Sequence, residues 1–305
     1  MKTNSKSEVT EFVNCNLCNS SSTRKLMAIG GFNIVKCKNC GLAYVNPRLK
    51  ERKLHEIYDK KYFSNKAFNG AKTSFYGYGK YLEEEDCIKD TFRRRLKIIN
   101  KLSGKGRLLD IGCAFGFFLE LARDDGWDVQ GLEISEYAYS YAKNVLKLPV
   151  MNKTLEKAKL KSDSFDVVTI FDVIEHLPDP KATLKEIRRV LKPNGFVVIT
   201  TPNIGSMTAK ILWKNWEEVR RVREHIYFFS KSTLKKILES LGFEVLRTES
   251  AGRYFSVKMA VERGKLYNKA IFILVGKISD SLGLSDKRIY VDPRYKMTMY
   301  ARKIK

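Results

Sequence analysis

Four cysteines near the start of the chain have the spacing of metal ligands. Cys15-Asn-Leu-Cys18 and Cys37-Lys-Asn-Cys40 are two C-x2-C knuckles with 18 residues between them. Each knuckle puts two thiolates on one tight turn, and two such turns complete a tetrahedral four-thiolate shell for zinc. A closed shell keeps no position open for substrate, so this zinc is expected to be structural. Gly41, directly after the second knuckle, permits the left-handed turn such loops use. Disulfides and a redox dithiol are the alternatives. A reducing compartment disfavours the first, and two matched knuckles exceed what the second needs. Cys87 and Cys113 remain over and read as small apolar residues.

A second chemical signal is the stretch Leu108-Leu109-Asp110-Ile111-Gly112-Cys113-Ala114-Phe115-Gly116. An apolar strand ends in Asp110, and a loop of small residues then opens a helix. Small residues let the backbone approach a ligand closely, and the helix start offers unpaired N–H groups. Gly112, Ala114 and Gly116 occupy positions one, three and five of the loop. A dinucleotide fingerprint wants positions one, three and six, which disfavours NAD and FAD. Glu133 ends the next strand, in VQGLEIS. An acidic group there can take the two ribose hydroxyls of a nucleoside. The plainer alternatives are Asp110 as a helix cap and Glu133 as a surface residue.

Asp172, Glu175 and His176 follow another apolar strand at i, i+3 and i+4, so a helical turn brings them to one face. His225 lies in the later segment REHIYFF, and the chain holds only three histidines. Three roles compete. A neutral imidazole of His176 or His225 could accept a proton. Asp172, Glu175, His176 and His225 could together bind a divalent metal, Mg2+ or another. Or Glu175 and His176 could brace the neighbouring loop.

The elements that must position these residues follow from the wider pattern. The chain has 305 residues, 44% hydrophobic and 30% charged, which suits one large domain with a small module. The expected division is a flexible tail over 1–14, a zinc-ribbon module over 15–47, an aromatic and basic linker or lid over 48–81, and the main domain over 82–305. A helix is expected over Leu82–Leu102, with Ile88, Phe92, Leu96 and Ile99 on one face. Strands follow at Arg107–Ile111, Val129–Glu133, Phe165–Phe171, Gly195–Thr200, Phe243–Glu249 and Tyr295–Ala301, with a shorter one near Pro149–Met151. Helices begin near Phe115, Glu136, Pro180 and Lys231. Such alternation argues for an α/β fold with a parallel sheet wrapped by helices.

No apolar run approaches the roughly 20 residues of a membrane-spanning helix, and the N-terminus carries no apolar signal stretch, so a cytoplasmic location is expected. The net charge of +23 would attract nucleic acid, anionic lipid or charged glycan, although it is spread along the chain without a block of five like charges.

The segments LLDIGCAFGFFL, GLEIS, SFDVVTIFDVIEHLPDP and EIRRVLKPNGFVVITTPN resemble, in order, the motifs of class I S-adenosylmethionine-dependent methyltransferases, closest to the group of ubiquinone-pathway O-methyltransferases. The four-cysteine module followed by CGLAYVNPR is similar to methyltransferases of sugar and cell-envelope pathways. The resemblance implies a Rossmann-like, mostly parallel sheet whose last strand is antiparallel, and S-adenosylmethionine as cofactor. It places Gly112, Ala114 and Gly116 against the methionine part, Glu133 on the ribose and Ile134 on the adenine, with Asp110 and Asp172 also expected to bind the cofactor. Ala114 stands where the family has Gly. No residue fits the adenine amino group well, Thr154-Leu155-Glu156 being the nearest candidate. The set Asp172, Glu175, His176 and His225 is similar to that of metal-dependent small-RNA 2′-O-methyltransferases.

The expected activity is O-methylation of a small molecule, sugar or envelope glycan precursor. An RNA methyltransferase is the alternative, with the basic residues of the module limited to Arg24, Lys25, Lys36 and Lys38. A binding protein without turnover is a third reading. Tyr58, Tyr62, Phe63, Phe68, Phe75, Tyr76, Tyr78 and Tyr81 are expected to pack a lid, with stacking of a sugar or a base as the alternative, and the Ile204–Arg223 stretch, with Trp213 and Trp216, to wall the acceptor pocket. Within 265–282, Tyr267, Ala270, Ile271, Leu274, Ile278 and Leu282 form a helical stripe expected to pack into the core. Contact with a membrane surface or a second subunit is the alternative.

Overall fold

A computed structural model describes residues 9–55, 81–265 and 268–304. Most of the expected lid (Tyr58 to Tyr78), and Tyr267, lie outside the described residues.

The N-terminal part contains β1 (Thr10–Glu11), β2 (Thr23–Ile29), β3 (Phe32–Cys37), β4 (Ala43–Val45) and β5 (Arg48–Leu49). The central sheet is built from β6 (Arg107–Ile111), β7 (Asp128–Leu132), β8 (Val150–Met151), β9 (Phe165–Phe171) and β10 (Leu191–Pro202). After β11 (Tyr227–Phe228) come β12 (Phe243–Ser250), β13 (Arg253–Ser256), β14 (Arg288–Val291) and β15 (Lys296–Lys303). Seven strands form one sheet in the order β12-β15-β10-β9-β6-β7-β8. β15 runs antiparallel to both β10 and β12, while β10/β9, β9/β6, β6/β7 and β7/β8 pair in parallel. This is the Rossmann-like arrangement the motifs implied. Strands covered on both faces need near-continuous apolar sequence, and Val167, Val168, Ile170, Val197 and Ile199 in β9 and β10 are fully buried.

Local sequence sets the helix boundaries. Helix Pro180–Val190 has Pro180 in its first turn and the Asp179 carboxylate accepting from the Ala182 N–H at 2.9 Å. Helix Lys231–Ser240 starts with a reciprocal capping box between Ser230 and Thr233. The helix expected near Phe115 begins at Phe117, because Gly116, at φ 84°, holds a left-handed cap.

Two arrangements were not legible in the sequence. First, the module's sheet has the order β11-β4-β3-β2, so its outer strand comes from the main domain. Tyr227 pairs with Tyr44, and Val45 N–H donates to Ile226 O at 2.9 Å. The pairing closes an edge that β4 would otherwise leave open. Trp216, expected at the acceptor wall, is instead buried in a cluster with Met27, Ile34 and Val45 of the module. Arg48 Nη1 donates to Pro178 O at 2.7 Å, and Asn16 Nδ2 to Asp179 Oδ1 at 2.8 Å, so the module also grips the start of helix Pro180–Val190.

Second, β13, helix Val257–Gly264, helix Lys269–Ser281 and β14 form an insert between β12 and β15. The apolar stripe expected in the core lies on the outer helix of this insert, with Ile271, Leu274, Ile278 and Leu282 exposed. The helix meets its neighbour through Phe272, which covers Gly264, and Gly276, which faces Val261. Among the described residues no further layer covers the remaining apolar side chains.

Candidate active site

A cavity of about 490 Å³ opens beyond the C-terminal ends of β6 and β9, where ligands of open α/β sheets bind. Its walls come from the loop after β6, the segments at 171–176 and 217–225, helix Glu85–Ser103, and the insert.

On one side lies the glycine loop. Gly112 sits at φ 70°, and a Cβ there would meet Val173 Cγ2 at 2.5 Å, so this position accepts only glycine. Ala114 is also left-handed, at φ 50°, a strained conformation for a residue with a Cβ. The Glu133 carboxylate holds the loop from below: Oε2 accepts from Ala114 N–H and Oε1 from Ser135 N–H, both at 2.8 Å. Burial raises the Glu133 carboxyl despite these bonds. Asp110 Oδ1 accepts from the Thr169 hydroxyl at 2.6 Å. Burial lifts its carboxyl to about 7, with the Thr169 bond opposing and Glu133 adding to the rise.

Asp110, Gly112, Ala114 and Asp172 line the cavity. Glu133 supports the loop one layer behind, and Ile134 is exposed past the strand end. Gly116 faces away: its added Cβ would strike Leu148 Cδ1 at 2.5 Å. Glu156 accepts from Thr183 Oγ1 at 2.8 Å, which ties it to helix Pro180–Val190. The bare backbone from Gly112 to Ala114, opening on the cavity beside buried carboxylates, fits the methionine and ribose parts of S-adenosylmethionine.

The opposite side gathers charge from distant segments. Asp172, left-handed at φ 56°, is paired with Lys296 Nζ at 2.9 Å. Burial opposes ionisation of Asp172, but Lys296 and Arg95 outweigh it and hold the carboxyl below its ordinary range. Glu175 is buried and accepts from the Thr201 hydroxyl at 2.9 Å. Burial, then the Asp172 charge, push its carboxyl up to about 8. His176 Nδ1 lies 3.0 Å from Glu224 O and must donate there, which puts the lone pair on Nε2. Desolvation lowers this imidazole to about 4.

His225 packs edge-on against His176, with ring centroids 4.6 Å apart. It is 1% exposed, and neither ring nitrogen has a hydrogen-bond partner among the described residues. The Glu218 carboxylate approaches Nδ1 to 3.3 Å without the alignment of a hydrogen bond. Burial, followed by the Arg221 charge, drives His225 well below its ordinary range, so both imidazoles are neutral at pH 7.

Glu175, His176 and His225 offer ligand atoms within 4.8 Å of one another. Asp172, the fourth residue of the expected set, is engaged by Lys296 instead. Sequence reasoning missed Glu218, Arg95 and Lys296. Glu218 stands in the Ile204–Arg223 stretch expected to wall the pocket, whereas nothing marked Lys296 among so many lysines.

The four knuckle thiols converge as their spacing required, all within 4.8 Å. Cys15 Sγ and Cys40 Sγ are 3.3 Å apart, Cys18 Sγ and Cys37 Sγ 3.5 Å, and all six cysteines are free thiols. Four thiols closing on one point fit a structural zinc ion. From β4 of the module a hydrogen-bonded path runs to the cavity: Val45 N–H donates to Ile226 O, and Ile226 N–H donates to Glu175 O at 3.0 Å. The module therefore braces the backbone on both sides of the histidine pair.

The methyltransferase domain family matches residues 81–248, more than half of the chain. A ubiquinone biosynthesis O-methyltransferase of Aliivibrio fischeri is 28% identical over 160 residues, covering 49% of this chain and 68% of that protein. Its counterpart in Photobacterium profundum is 32% identical over 108 residues, covering 33% and 46%. Among solved structures, a SAM-dependent methyltransferase from Archaeoglobus fulgidus covers 73% of this chain and 99% of its own, with TM-score 0.50 and 23% identity, a likeness of fold. With the sheet order, the glycine loop and the family match in agreement, the chain belongs to the methyltransferase domain family and is a class I S-adenosylmethionine-dependent methyltransferase.

Proposed function

We propose that this enzyme methylates an oxygen of a small molecule or glycan precursor, with His225 taking the acceptor's proton. The observation that carries this reading is a buried imidazole at the wall of the cavity with no hydrogen-bond partner among the described residues. Two relatives named ubiquinone biosynthesis O-methyltransferases support oxygen as the acceptor atom.

Bound S-adenosylmethionine supplies an electrophilic methyl group, so the protein's task is alignment and proton removal. Gly112 and Ala114 receive the cofactor's methionine part, with Asp110 and Asp172 alongside. Glu133 stands behind them and holds the loop through the Ala114 and Ser135 N–H groups. As the acceptor oxygen gains the methyl, its proton passes to a ring nitrogen of His225. The nearby Glu218 carboxylate stabilises the imidazolium electrostatically.

A second reading rests on the convergence of Glu175, His176 and His225. One carboxylate and two imidazoles could hold a divalent cation that binds the acceptor oxygens, and such a donor set suits Mn2+, Fe2+ or Zn2+ better than Mg2+.

The test is calorimetric titration with S-adenosylmethionine and its demethylated product, followed by labelled-methyl assays on phenolic, sugar and RNA acceptors. Micromolar cofactor binding with methylation of a hydroxyl supports the proposal. Methylation confined to RNA or to a nitrogen overturns the acceptor class. Activity lost on mild chelation and restored by Mn2+, with the cysteine-bound zinc retained, favours the metal reading over the base.

A further inference from the structure

The outer helix of the insert, Lys269–Ser281, carries an apolar surface that nothing among the described residues covers. Ile271 is 55% exposed, Leu274 60%, Ile278 50% and the following Leu282 64%, and Val275 widens the stripe. Exposed apolar residues on consecutive turns cost free energy unless something covers them. With 13 residues the helix is about 20 Å long, too short to span a bilayer, and no helix among the described residues is long and apolar enough to do so. A helix too short to span can still lie in the plane of an interface with its apolar side chains buried there.

We propose that this helix seats the enzyme on an anionic bilayer surface, with its apolar side chains among the acyl chains and its lysines on the headgroups. Charge selects this occupant over a second copy of the chain. Lys269 and Lys277 lie exposed on the helix, with Lys287 just beyond, against Asp280 and Asp286. The whole chain carries +23, so two copies meeting face to face would repel, whereas anionic lipid attracts the same surface. The neighbouring helix Val257–Gly264 carries the geometry inward. Val261 and Gly264 meet the outer helix, while Met259, Glu262 and Arg263 line the cavity. The seated surface is thus one helix away from the acceptor site, which would suit an acceptor held at a membrane. Lipid binding itself does not depend on the acceptor class proposed above.

The experiment is co-sedimentation of the full-length, zinc-loaded protein with phosphatidylcholine vesicles, with and without phosphatidylglycerol, at low and high salt. A Leu274→Glu/Ile278→Glu variant and a Lys269→Glu/Lys277→Glu variant run in parallel. All four side chains are exposed, so the variants should fold, and circular dichroism melting with cofactor titration checks that they do. Sedimentation with phosphatidylglycerol vesicles, weakened by salt and reduced at least tenfold in the apolar variant and several-fold in the lysine variant, supports the proposal. No binding to phosphatidylglycerol vesicles overturns it. So does binding unaffected by the apolar variant, which would reveal nonspecific charge adsorption. A dimer in light scattering that the apolar variant dissociates, with no lipid binding, assigns the face to a second copy and also overturns it.

Discussion

The two sides of the cavity are built differently. The cofactor side comes mainly from one stretch of chain, Leu108 to Ser135, in which the loop and its supporting carboxylate are joined by direct hydrogen bonds. The histidine side is assembled from segments at 172–176, 217–225 and 295–296, and is held in place by a metal-type module from the far end of the sequence. A site made from neighbours in sequence needs little beyond correct local folding. A site made from distant segments depends on every packing step that brings them together.

Removing the module's metal should expose this difference most strongly, because four-thiolate zinc sites are worth about 10 kcal/mol or more to small folds. Chelation strong enough to strip the cysteines, or Cys37→Ser, should abolish turnover while cofactor affinity falls by less than about tenfold, as followed by calorimetry. Equal loss of both would show that the two sides fold as one unit and would break the comparison.

His225→Ala should lower turnover by roughly 10²–10⁴-fold and leave cofactor affinity near that of the wild type. An undiminished rate would remove His225 from the chemistry. Glu133→Ala should do the reverse. It strips two buried N–H groups of their acceptor, at about 1–3 kcal/mol each, and cofactor binding should weaken by roughly 10- to 100-fold.

A smaller effect concerns pH. The folded-state carboxyl of Glu175 is raised to about 8 from an ordinary 4.5, so its stabilising contribution is present below pH 4.5 and is lost as pH rises to about 8. The melting temperature of Glu175→Gln, relative to wild type, should therefore climb between pH 5 and 8. His176 acts in the opposite sense: its folded value of about 4 lies below an ordinary 6.5, so stability falls as pH drops through that window. A flat difference between Glu175→Gln and wild type would mean the carboxyl titrates normally. The smallest change is expected for Ala114→Gly. It relieves a left-handed Cβ but loosens the unfolded chain, and the net gain should be no more than about 1 kcal/mol in denaturant titration.

The sequence by itself determined the parallel strands, the glycine loop and the four-cysteine shell. Each is a short-range pattern whose chemistry needs fixed spacing, so residue type and position together carry the information. Tertiary structure alone decided three things. It moved Trp216 into the module's core, because β11 leaves its own domain to cover the edge of β4. It set Lys296 against Asp172 across 124 positions, by placing β15 beside β10. It also left the stripe from Ile271 to Leu282 outside, since an amphipathic pattern says that one face seeks cover but not whether the fold supplies it. Partners that meet only through sheet order and domain closure leave no periodicity for a sequence to show.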